Sequence, residues 1–220
     1  MPRMPRLVVP GYPHHVTQRG ARRQPTFFCD QDYRDYLDLL ARSLDAADVA
    51  IWAYCLMPNH VHLVAVPRQA DSLARLFGEV HRRYTWHINR REGWRGHLWQ
   101  ERFHSFVMDD DHLLAATRYV ERNPVRGGLC ASAADWPWSS VHAHLRGTST
   151  PIVDVGPMLQ RISSWGDFVE MRDHEPELER IRHHQRTGRP VGTTAFVERL
   201  AALTGRPLRK GKPGPPPADK

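Results

Sequence analysis

The sequence predicts an α+β protein in which helices cover an antiparallel sheet. Short apolar runs of strand length alternate with longer segments whose apolar residues recur every three or four positions, which is helical spacing. Gly and Pro residues separate these segments and mark the turns between them. Hydrophobic residues make up 40% of the 220 positions, which is enough for a substantial core.

Three strands and one helix are predicted in the first third of the chain. Residues 13–19 form the first strand, which ends at a basic turn. Residues 30–47 have apolar side chains at helical spacing, and we expect Asp30 to cap the helix that they form. Residues 49–56 and 60–66 form the second and third strands, joined by a three-residue turn.

Two more helices and a fourth strand are predicted in the middle of the chain. A helix covers about residues 71–90, and an aromatic and basic loop leads from it to a strand near 103–108. Residues 109–111 are three aspartates, which favour a helix start through the helix dipole. We expect that helix to end near Asn123, because the residue before a proline is displaced from helical geometry.

The order is therefore strand, helix, strand, strand, helix, strand and an additional helix. This is the order of a ferredoxin-like split β-α-β core with an appended helix. We expect residues 1–148 to form this domain and residues 149–206 to form a mainly helical C-terminal extension. Residues 207–220 are expected to be a disordered, basic, Pro-rich tail.

The composition favours a polyanionic partner in a reducing compartment. The chain carries 31 Lys and Arg residues against 24 Asp and Glu residues. Charge alone does not separate DNA from RNA or an anionic membrane, and the abundance of Arg also fits a GC-rich genome. No apolar run approaches the roughly 18 residues of a membrane span. Three widely spaced cysteines argue against a disulfide framework, so we expect a cytoplasmic protein.

Two histidines in the third predicted strand point to a functional site. His60 and His62 are separated by one residue, so their side chains project from one face of the strand, roughly 6 to 7 Å apart. A core strand has little reason to bury such a pair unless it binds something, and a divalent metal is the usual ligand. Taken alone, the pair is more often structural, and a metal would need a third ligand.

The third predicted helix offers the remaining groups. With Leu113 at the centre of its apolar stripe, Tyr119 lies roughly 120° away and Asn123 follows on the same flank. Side chains four positions apart on a helix can address one site, and an Asn oxygen can coordinate Mg²⁺ or Mn²⁺. Tyr84, by contrast, lies on the apolar stripe of the second helix and is interpreted as a core residue.

Other histidines are clustered without a partner pattern. These pairs are expected to lie on the surface, and they are His14 with His15, His142 with His144, and His183 with His184.

Together these motifs resemble those of the single-tyrosine HUH transposases of the IS200/IS605 type, and most closely the REP-associated tyrosine transposases. The resemblance rests on residues 58–63, 99–103, 118–126 and 136–140, and it covers roughly residues 5–145. Many IS200-type members have a Gln four residues after the tyrosine. This chain has Asn123 there, as in the REP-associated branch.

The resemblance implies metal-assisted cleavage and rejoining of single-stranded or hairpin DNA, in DNA transposition or in the processing of REP-like palindromes. His60, His62 and Asn123 would hold Mg²⁺ or Mn²⁺, and Tyr119 would form a 5′-phosphotyrosine intermediate. Relatives act as homodimers or as monomers, and the sequence leaves this choice open. The implied location is the cytoplasm, in association with the nucleoid.

Arginines interleaved with tryptophans suit phosphate contact and base stacking, although a solvated helix face would look the same. The candidate DNA-binding residues are Arg19, Arg22, Arg23, Arg82, Arg83, Arg95 and Arg102. Two alternative functions remain: a domesticated, non-catalytic regulator that binds hairpin DNA, and a metal-dependent nuclease that forms no covalent intermediate. The presence of all four predicted site residues favours the catalytic hypothesis over the regulator.

Overall fold

A four-stranded antiparallel sheet in the order β2-β3-β1-β4 forms the centre of the computed structural model, which describes residues 6–208. This order, with helices between the strands, confirms the predicted α+β fold with a split β-α-β core. The strands are β1 (His14–Arg19), β2 (Val49–Met57), β3 (His60–Pro67) and β4 (His104–Val107).

The helices follow the predicted order and continue into the C-terminal part of the chain. Two short 3₁₀ turns, Ala21–Arg23 and Ala133–Asp135, interrupt the loops. The α-helices are α1 (Asp30–Ala47), α2 (Ser72–Glu92), α3 (Asp110–Glu121), α4 (Asn123–Arg126), α5 (Val141–Arg146), α6 (Gly156–Leu159), α7 (Trp165–Glu170), α8 (Glu175–Thr187) and α9 (Thr194–Thr204).

The two faces of the sheet are covered by different helices. Strand side chains alternate between faces, so Val61 and Leu63 of β3 pack against α1 and α2 on one side. Val64 belongs to a second cluster on the opposite side, with Val120 of α3. His60 and His62 share the alternation of Val64, and β3 therefore presents them toward α3.

Local sequence signals explain the helix ends near the site. Asp109 caps α3, because its side chain accepts a hydrogen bond from the backbone N–H of His112. Helix α3 ends at Glu121, and Arg122 has φ −86° and ψ 2°, outside helical geometry. The helix therefore ends close to the predicted position near Asn123, and a separate turn, α4, begins at Asn123 with Pro124 in its first turn, where a missing N–H costs no helical hydrogen bond.

The C-terminal helices share the core of the sheet. Val153 forms a bridge with Ile51 of β2, and Val191 forms another with Met108. Trp165 of α7 is buried in the same cluster as residues of β3 and α3. The predicted boundary between residues 148 and 149 stays a prediction, although residues on both sides of it pack together.

Only Pro207 and Leu208 of the predicted tail belong to the described residues, and the rest of it, residues 209–220, lies outside them. Leu208 is buried against Leu7 and Val9 in a small cluster at the edge of the sheet. Between residues 6 and 208, no helix has both the length and the apolar character that crossing a membrane would require.

Candidate active site

Strand β3 places His60 and His62 side by side beneath α3. Their ring centroids are 4.8 Å apart, and the two residues are only 8% and 3% exposed. Burial lowers the pKa of His60 to about 3, and the charge of Arg19 contributes. Burial also holds the pKa of His62 well below its usual value. Both imidazoles are therefore neutral near pH 7, which is the form that binds a metal.

Each of the two rings makes a contact to the protein through Nδ1. His60 donates its Nδ1–H to Oδ1 of Asn59 at 2.6 Å, and the Asn59 amide is itself oriented because Nδ2 donates to the carbonyl of Arg23. Nδ1 of His62 lies 3.0 Å from Nε2 of His15. Metal-binding histidines are commonly oriented in this way through the nitrogen that does not bind the ion. The two Nε2 atoms thus form a donor pair that fits a divalent metal.

Helix α3 places Tyr119 against the same histidines. Tyr119 is 8% exposed, and its ring centroid lies 5.7 Å from that of His62 and 5.9 Å from that of His15. Both contacts are edge-on, with interplanar angles of 81° and 84°. Tyr119, which the sequence placed off the apolar stripe of its helix, therefore faces the imidazoles of His15 and His62.

An arginine that the sequence reasoning did not assign to the site covers Tyr119. The guanidinium carbon of Arg126 lies 4.1 Å from the centre of the Tyr119 ring, and Nη2 donates to the Tyr119 carbonyl. Its charge also contributes to the lowered pKa of His15 and His62. The turn α4 brings Arg126 back over α3. The spacing of apolar residues alone does not predict this change of chain direction.

Asn123 follows Tyr119 across the break in the helix rather than on one continuous helix. It is half-buried at the start of α4. A Cβ added at Gly127, directly after α4, would lie 3.2 Å from Cε of Met57, which shows that α4 packs close to the end of β2. Met57 pairs with His60 in the sheet, which puts α4 beside the end of β3 that carries the histidines. The role of Asn123 as a metal ligand stays a prediction.

The expectation that His14 and His15 lie on the surface is wrong. Both are 0% exposed, because β1 is a central strand that is covered on both faces. The ring of His15 stacks on that of His62 with a centroid distance of 5.1 Å and an interplanar angle of 6°. His15 is thus a third imidazole of the candidate site, and the sequence signal for it was its place in a strand next to β3.

The same expectation is wrong for His144, which is 2% exposed. Its Nδ1 donates to the buried carboxylate of Glu121 at 2.7 Å. That carboxylate also accepts from Ser140 Oγ at 2.5 Å and from Trp165 Nε1 at 2.8 Å. These bonds fix the side of α3 that faces away from Tyr119. His142 and His184 are half-buried, and His183 is exposed.

The predicted DNA-binding arginines fall into two separate groups. Arg19 pairs with His60 in the sheet, and Arg22 and Arg95 line one cleft of about 570 Å³ beside the end of β1. Arg23 is exposed in the same turn as Arg22, and Arg102 is exposed in the loop before β4.

Arg82 and Arg83 lie elsewhere. Both are on α2, which covers the opposite face of the sheet from Tyr119, and both form ion pairs with Glu79. The structure does not bring these two arginines together with the candidate site.

A second group of potential metal ligands lies on α1 and α2. Single ligand atoms of Asp32, Asp35 and His87 lie within 4.8 Å of one another. The oxygens of buried Asp32, however, accept hydrogen bonds from the Arg91 guanidinium and from the backbone N–H groups of Phe28 and Cys29. This carboxylate caps α1 and neutralises an arginine, so we interpret the group as structural.

Comparison with known proteins gives one family. A family model described as "Transposase IS200 like" matches residues 9–123, which is more than half of the chain. A provisionally named REP-associated tyrosine transposase of Haemophilus influenzae is 29% identical over 110 residues, which cover 45% of this chain and 62% of that protein. The REP-associated tyrosine transposase of Escherichia coli K12 is 23% identical over 91 residues, covering 41% and 53%. The chain thus matches less than two thirds of either relative.

A solved structure shares the fold. It is described as a REP-associated tyrosine transposase bound to a REP hairpin, and it superposes with a TM-score of 0.58 at 22% identity. The match covers 70% of this chain and 93% of that one.

Proposed function

Because the chain belongs to the IS200-like transposase family and is of the REP-associated tyrosine transposase type, we propose that it cleaves and rejoins single-stranded or hairpin DNA. One observation carries the proposal. Strand β3 and helix α3 bring two neutral imidazoles and a tyrosine together, with ring centroids 4.8 Å apart for His60 and His62 and 5.7 Å apart for His62 and Tyr119. A metal-binding pair beside a nucleophile is the arrangement that phosphoryl transfer needs.

The residues around the cluster support the binding of a divalent metal. Nε2 of His60, Nε2 of His62 and Oδ1 of Asn123 would hold Mg²⁺ or Mn²⁺, since imidazole and amide oxygen are both ligands for such ions. When bound, the ion supplies Lewis-acid polarisation of the scissile phosphate. The Asp32 group does not compete for this role, because its oxygens already accept hydrogen bonds.

Tyr119 is the proposed nucleophile. Its Oη forms a bond to phosphorus, the bond between phosphorus and the 3′-oxygen breaks, and that oxygen gains a proton as the phenol loses one. The products are a free 3′-OH and a 5′-phosphotyrosine. Because the covalent link keeps the energy of the phosphodiester bond, the 3′-OH of another strand can attack it and rejoin DNA without ATP. Arg126 holds the tyrosine ring from above, and its guanidinium, which also pairs with Asp173 at 3.5 Å, would add positive charge near a phosphate bound at Tyr119.

Hairpin DNA is the proposed substrate class. The curated relatives carry REP-associated names, and the solved structure of similar fold is bound to a REP hairpin. The net charge of +7 favours a polyanion. Arg19 pairs with His60 in the sheet and is the best placed of the predicted arginines to contact its phosphates, whereas Arg22 and Arg95 line a cleft that also includes Asn89 of α2.

A denaturing-gel assay tests this proposal. The full-length protein is mixed with REP-like hairpin DNA and Mg²⁺ or Mn²⁺, with the label on the 3′ end, because the fragment downstream of the cut would stay on the protein. We expect a labelled protein band that is lost with EDTA and in Tyr119→Phe. Tyr12→Phe, which removes a phenol from a side chain packed on Phe196, should keep the band.

The other outcomes identify the alternatives. Cleavage that continues in Tyr119→Phe would indicate hydrolysis without a covalent intermediate. Tight binding without cleavage by the unaltered protein, in either metal, would indicate a non-catalytic DNA-binding regulator.

A further inference from the structure

We propose that Arg19 is a catalytic residue that binds the non-bridging oxygens of the scissile phosphate. The inference rests on the proposed function, because it assigns a role in the same reaction. It goes further than a general contact with DNA, since it places Arg19 on the one phosphate that Tyr119 attacks. The position of Arg19, the lack of a partner for its charge and its fixed backbone all support this role.

Arg19 lies on the face of the sheet that carries the histidines. It is the last residue of β1 and pairs with His60 of β3. Side chains alternate along a strand, so Arg19 shares the face of His15, whose ring contacts that of Tyr119. Residues that pair across an antiparallel sheet have Cβ atoms roughly 5 Å apart, so the Arg19 side chain begins beside the His60 ring. Burial and the charge of Arg23 lower the pKa of Arg19 and Tyr119 raises it, which fits a guanidinium within electrostatic reach of the phenol.

Arg19 is a half-buried charge without a counter-ion. Within residues 6–208, its guanidinium makes no hydrogen bond or ion pair. The arginines of α3 and α4 differ, because each of them pairs with an acid of the C-terminal extension. These pairs are Arg118 with Glu177 at 2.7 Å, Arg122 with Asp173 at 3.4 Å, and Arg126 with Asp173 at 3.5 Å.

The missing counter-ion of Arg19 indicates an anionic ligand. A charge that is partly withdrawn from water costs free energy unless a group of opposite charge is bound to it. Arg19 lies beside neutral imidazoles, which do not supply a negative charge. In the proposed reaction, the phosphate that is held between the histidines and Tyr119 supplies it.

The backbone around Arg19 is held from two sides, although its side chain is not. The carbonyl of Arg19 accepts a hydrogen bond from the N–H of Gln100 at 2.9 Å, and the N–H of Gly20 donates to the carbonyl of Asn59 at 2.8 Å. Gly20 is packed so closely that a Cβ there would collide with the carbonyl oxygen of Gln24. The guanidinium therefore extends from a fixed point, and only its own side chain must be ordered when a phosphate binds.

The role of Arg19 follows from the charge of the phosphate during the reaction. As Oη of Tyr119 bonds to phosphorus and the bond to the 3′-oxygen breaks, negative charge is spread over the non-bridging oxygens. A guanidinium presents a planar fork of N–H donors that matches two such oxygens. Arg19 donates hydrogen bonds and keeps its proton, so the balance of the transfer step is unchanged. Arg126 is the less available of the two arginines, because it already pairs with Asp173.

A hairpin with a single methylphosphonate at the scissile linkage tests this role. The methyl group replaces one non-bridging oxygen and removes the negative charge of that phosphate alone. The cleavage site is first mapped with natural DNA, and rates are measured with saturating DNA so that they report on chemistry rather than binding. On the natural linkage, Arg19→Gln should be about 10²- to 10³-fold slower than the unaltered protein. On the methylphosphonate, the two proteins should cleave at the same rate, because no charge is left for Arg19 to stabilise.

Binding in EDTA gives a second readout that needs neither metal nor cleavage. The unaltered protein should bind the methylphosphonate hairpin about tenfold more weakly than the natural hairpin, the lower end of the effect of a hydrogen bond to a charged group. Arg19→Gln should bind both hairpins equally well. Arg19→Lys keeps the charge but loses the planar fork, so it should discriminate between the hairpins less than the unaltered protein does.

Two controls separate this role from a loss of charge or of folding. Arg42→Gln removes the same charge from an exposed position of α1, and it should cleave and bind both hairpins like the unaltered protein. The urea midpoint of Arg19→Gln should be unchanged or higher, because the substitution removes a half-buried charge that has no partner in the described structure. A lower midpoint would indicate a structural role for Arg19 and would contradict the assignment.

The results also separate this inference from the proposed function. If the unaltered protein cleaves the natural hairpin and Arg19→Gln is slowed equally on both linkages, or is not slowed at all, the role of Arg19 is wrong and the proposed function stands. If the unaltered protein forms no covalent product with the natural hairpin in either metal, the proposed function is wrong and the inference fails with it.

Discussion

Helix α3 lies between two buried polar clusters that use their hydrogen-bonding atoms in different ways. On one side, both oxygens of Glu121 accept hydrogen bonds from side chains, namely those of Ser140, His144 and Trp165. On the other side, His60 and His62 make their side-chain contacts through Nδ1, and their Nε2 atoms are the proposed metal ligands. The Glu121 carboxylate thus has all its bonds within the protein, although Nε2 of His144 beside it has no partner among the described residues, whereas the second cluster contains the proposed metal ligands.

The difference follows from the cost of burial. A carboxylate is tolerated in an apolar core only when donors surround it, so Glu121 must be bonded and can serve only as an anchor. A neutral imidazole costs less to bury and can keep an unused lone pair. The comparison indicates that buried Glu121 stabilises the position of α3, whereas the buried histidines of β3 can offer lone pairs to a ligand.

The largest expected effect comes from removing one predicted metal ligand. His60→Ala should lower the rate of hairpin cleavage about 10³-fold, because Lewis-acid stabilisation of the transition state is worth several kcal/mol. The same change should lower the free energy of unfolding by only about 1 to 2 kcal/mol, because it removes a buried ring and its hydrogen bond to Asn59. Cleavage by gel and urea unfolding measure the two quantities.

His183→Ala is the control, because His183 is exposed on α8. If the His60→Ala variant cleaved hairpin DNA at the full rate, the histidine cluster would not contribute to the reaction. The proposed difference in function between the two clusters would then be wrong.

The second expected effect is on stability. Glu121→Ala should lower the free energy of unfolding by about 3 kcal/mol, because it leaves buried donors of His144 and Trp165 without an acceptor. Glu79→Ala is the matched control, since Glu79 is also paired with two side chains, Arg82 and Arg83, but at the surface. Solvent screens a surface pair, so Glu79→Ala should lower the free energy of unfolding much less than Glu121→Ala.

Urea unfolding of both variants measures the two losses of unfolding free energy. Equal losses in Glu121→Ala and Glu79→Ala would contradict the role of Glu121 as the anchor of α3.

The smallest expected effect concerns His14, a buried histidine that belongs to neither cluster. Nε2 of His14 accepts from the backbone N–H of Val9, and Nδ1 donates to the carbonyl of Tyr12, so the ring must be neutral. Burial lowers its pKa from 6.5 to about 4. The unfolded chain therefore binds a proton between pH 6.5 and 4 that the folded protein does not, and stability falls as the pH falls through this range.

Each such histidine contributes a slope of about 1.4 kcal/mol per pH unit. His14→Gln should reduce the slope of unfolding free energy against pH by this amount, whereas His97→Gln, at an exposed position, should not change it. Urea unfolding at pH 7.5, 5.5 and 4.5 measures the slopes. An unchanged slope in His14→Gln would mean that the ring is protonated in the folded protein.

The sequence predicted what depends on short-range pattern. The spacing of His60 and His62 identified a strand with both rings on one face, and the apolar stripes placed Tyr84 in the core, where it is 0% exposed and donates to the carbonyl of Thr26. The order of the predicted elements was sufficient to predict the split β-α-β core, because strands and helices differ in the spacing of their apolar residues.

What the sequence did not predict depends on contacts between distant residues. His15 meets His62 across 47 positions, and Glu121 meets His144 across 23. The spacing of apolar residues does not show that β1 is a central strand. It therefore did not predict that the face of β1 that carries His15 is covered. The end of the third helix was predicted near Asn123, close to the observed end at Glu121, but Tyr119 and Asn123 were predicted to lie on one helix, and the turn α4 that begins at Asn123 was missed.

The most direct test of the central claim is to locate the covalent bond. The reaction with hairpin DNA is quenched, digested with nuclease and trypsin, and analysed by mass spectrometry of the tetrapeptide 119–122, which tryptic cleavage after Arg118 and Arg122 releases. The account predicts a nucleotide 5′-phosphate on Tyr119 in this peptide, dependent on Mg²⁺ or Mn²⁺. Cleaved DNA with an unmodified tetrapeptide, or with the nucleotide on another tyrosine, would contradict it.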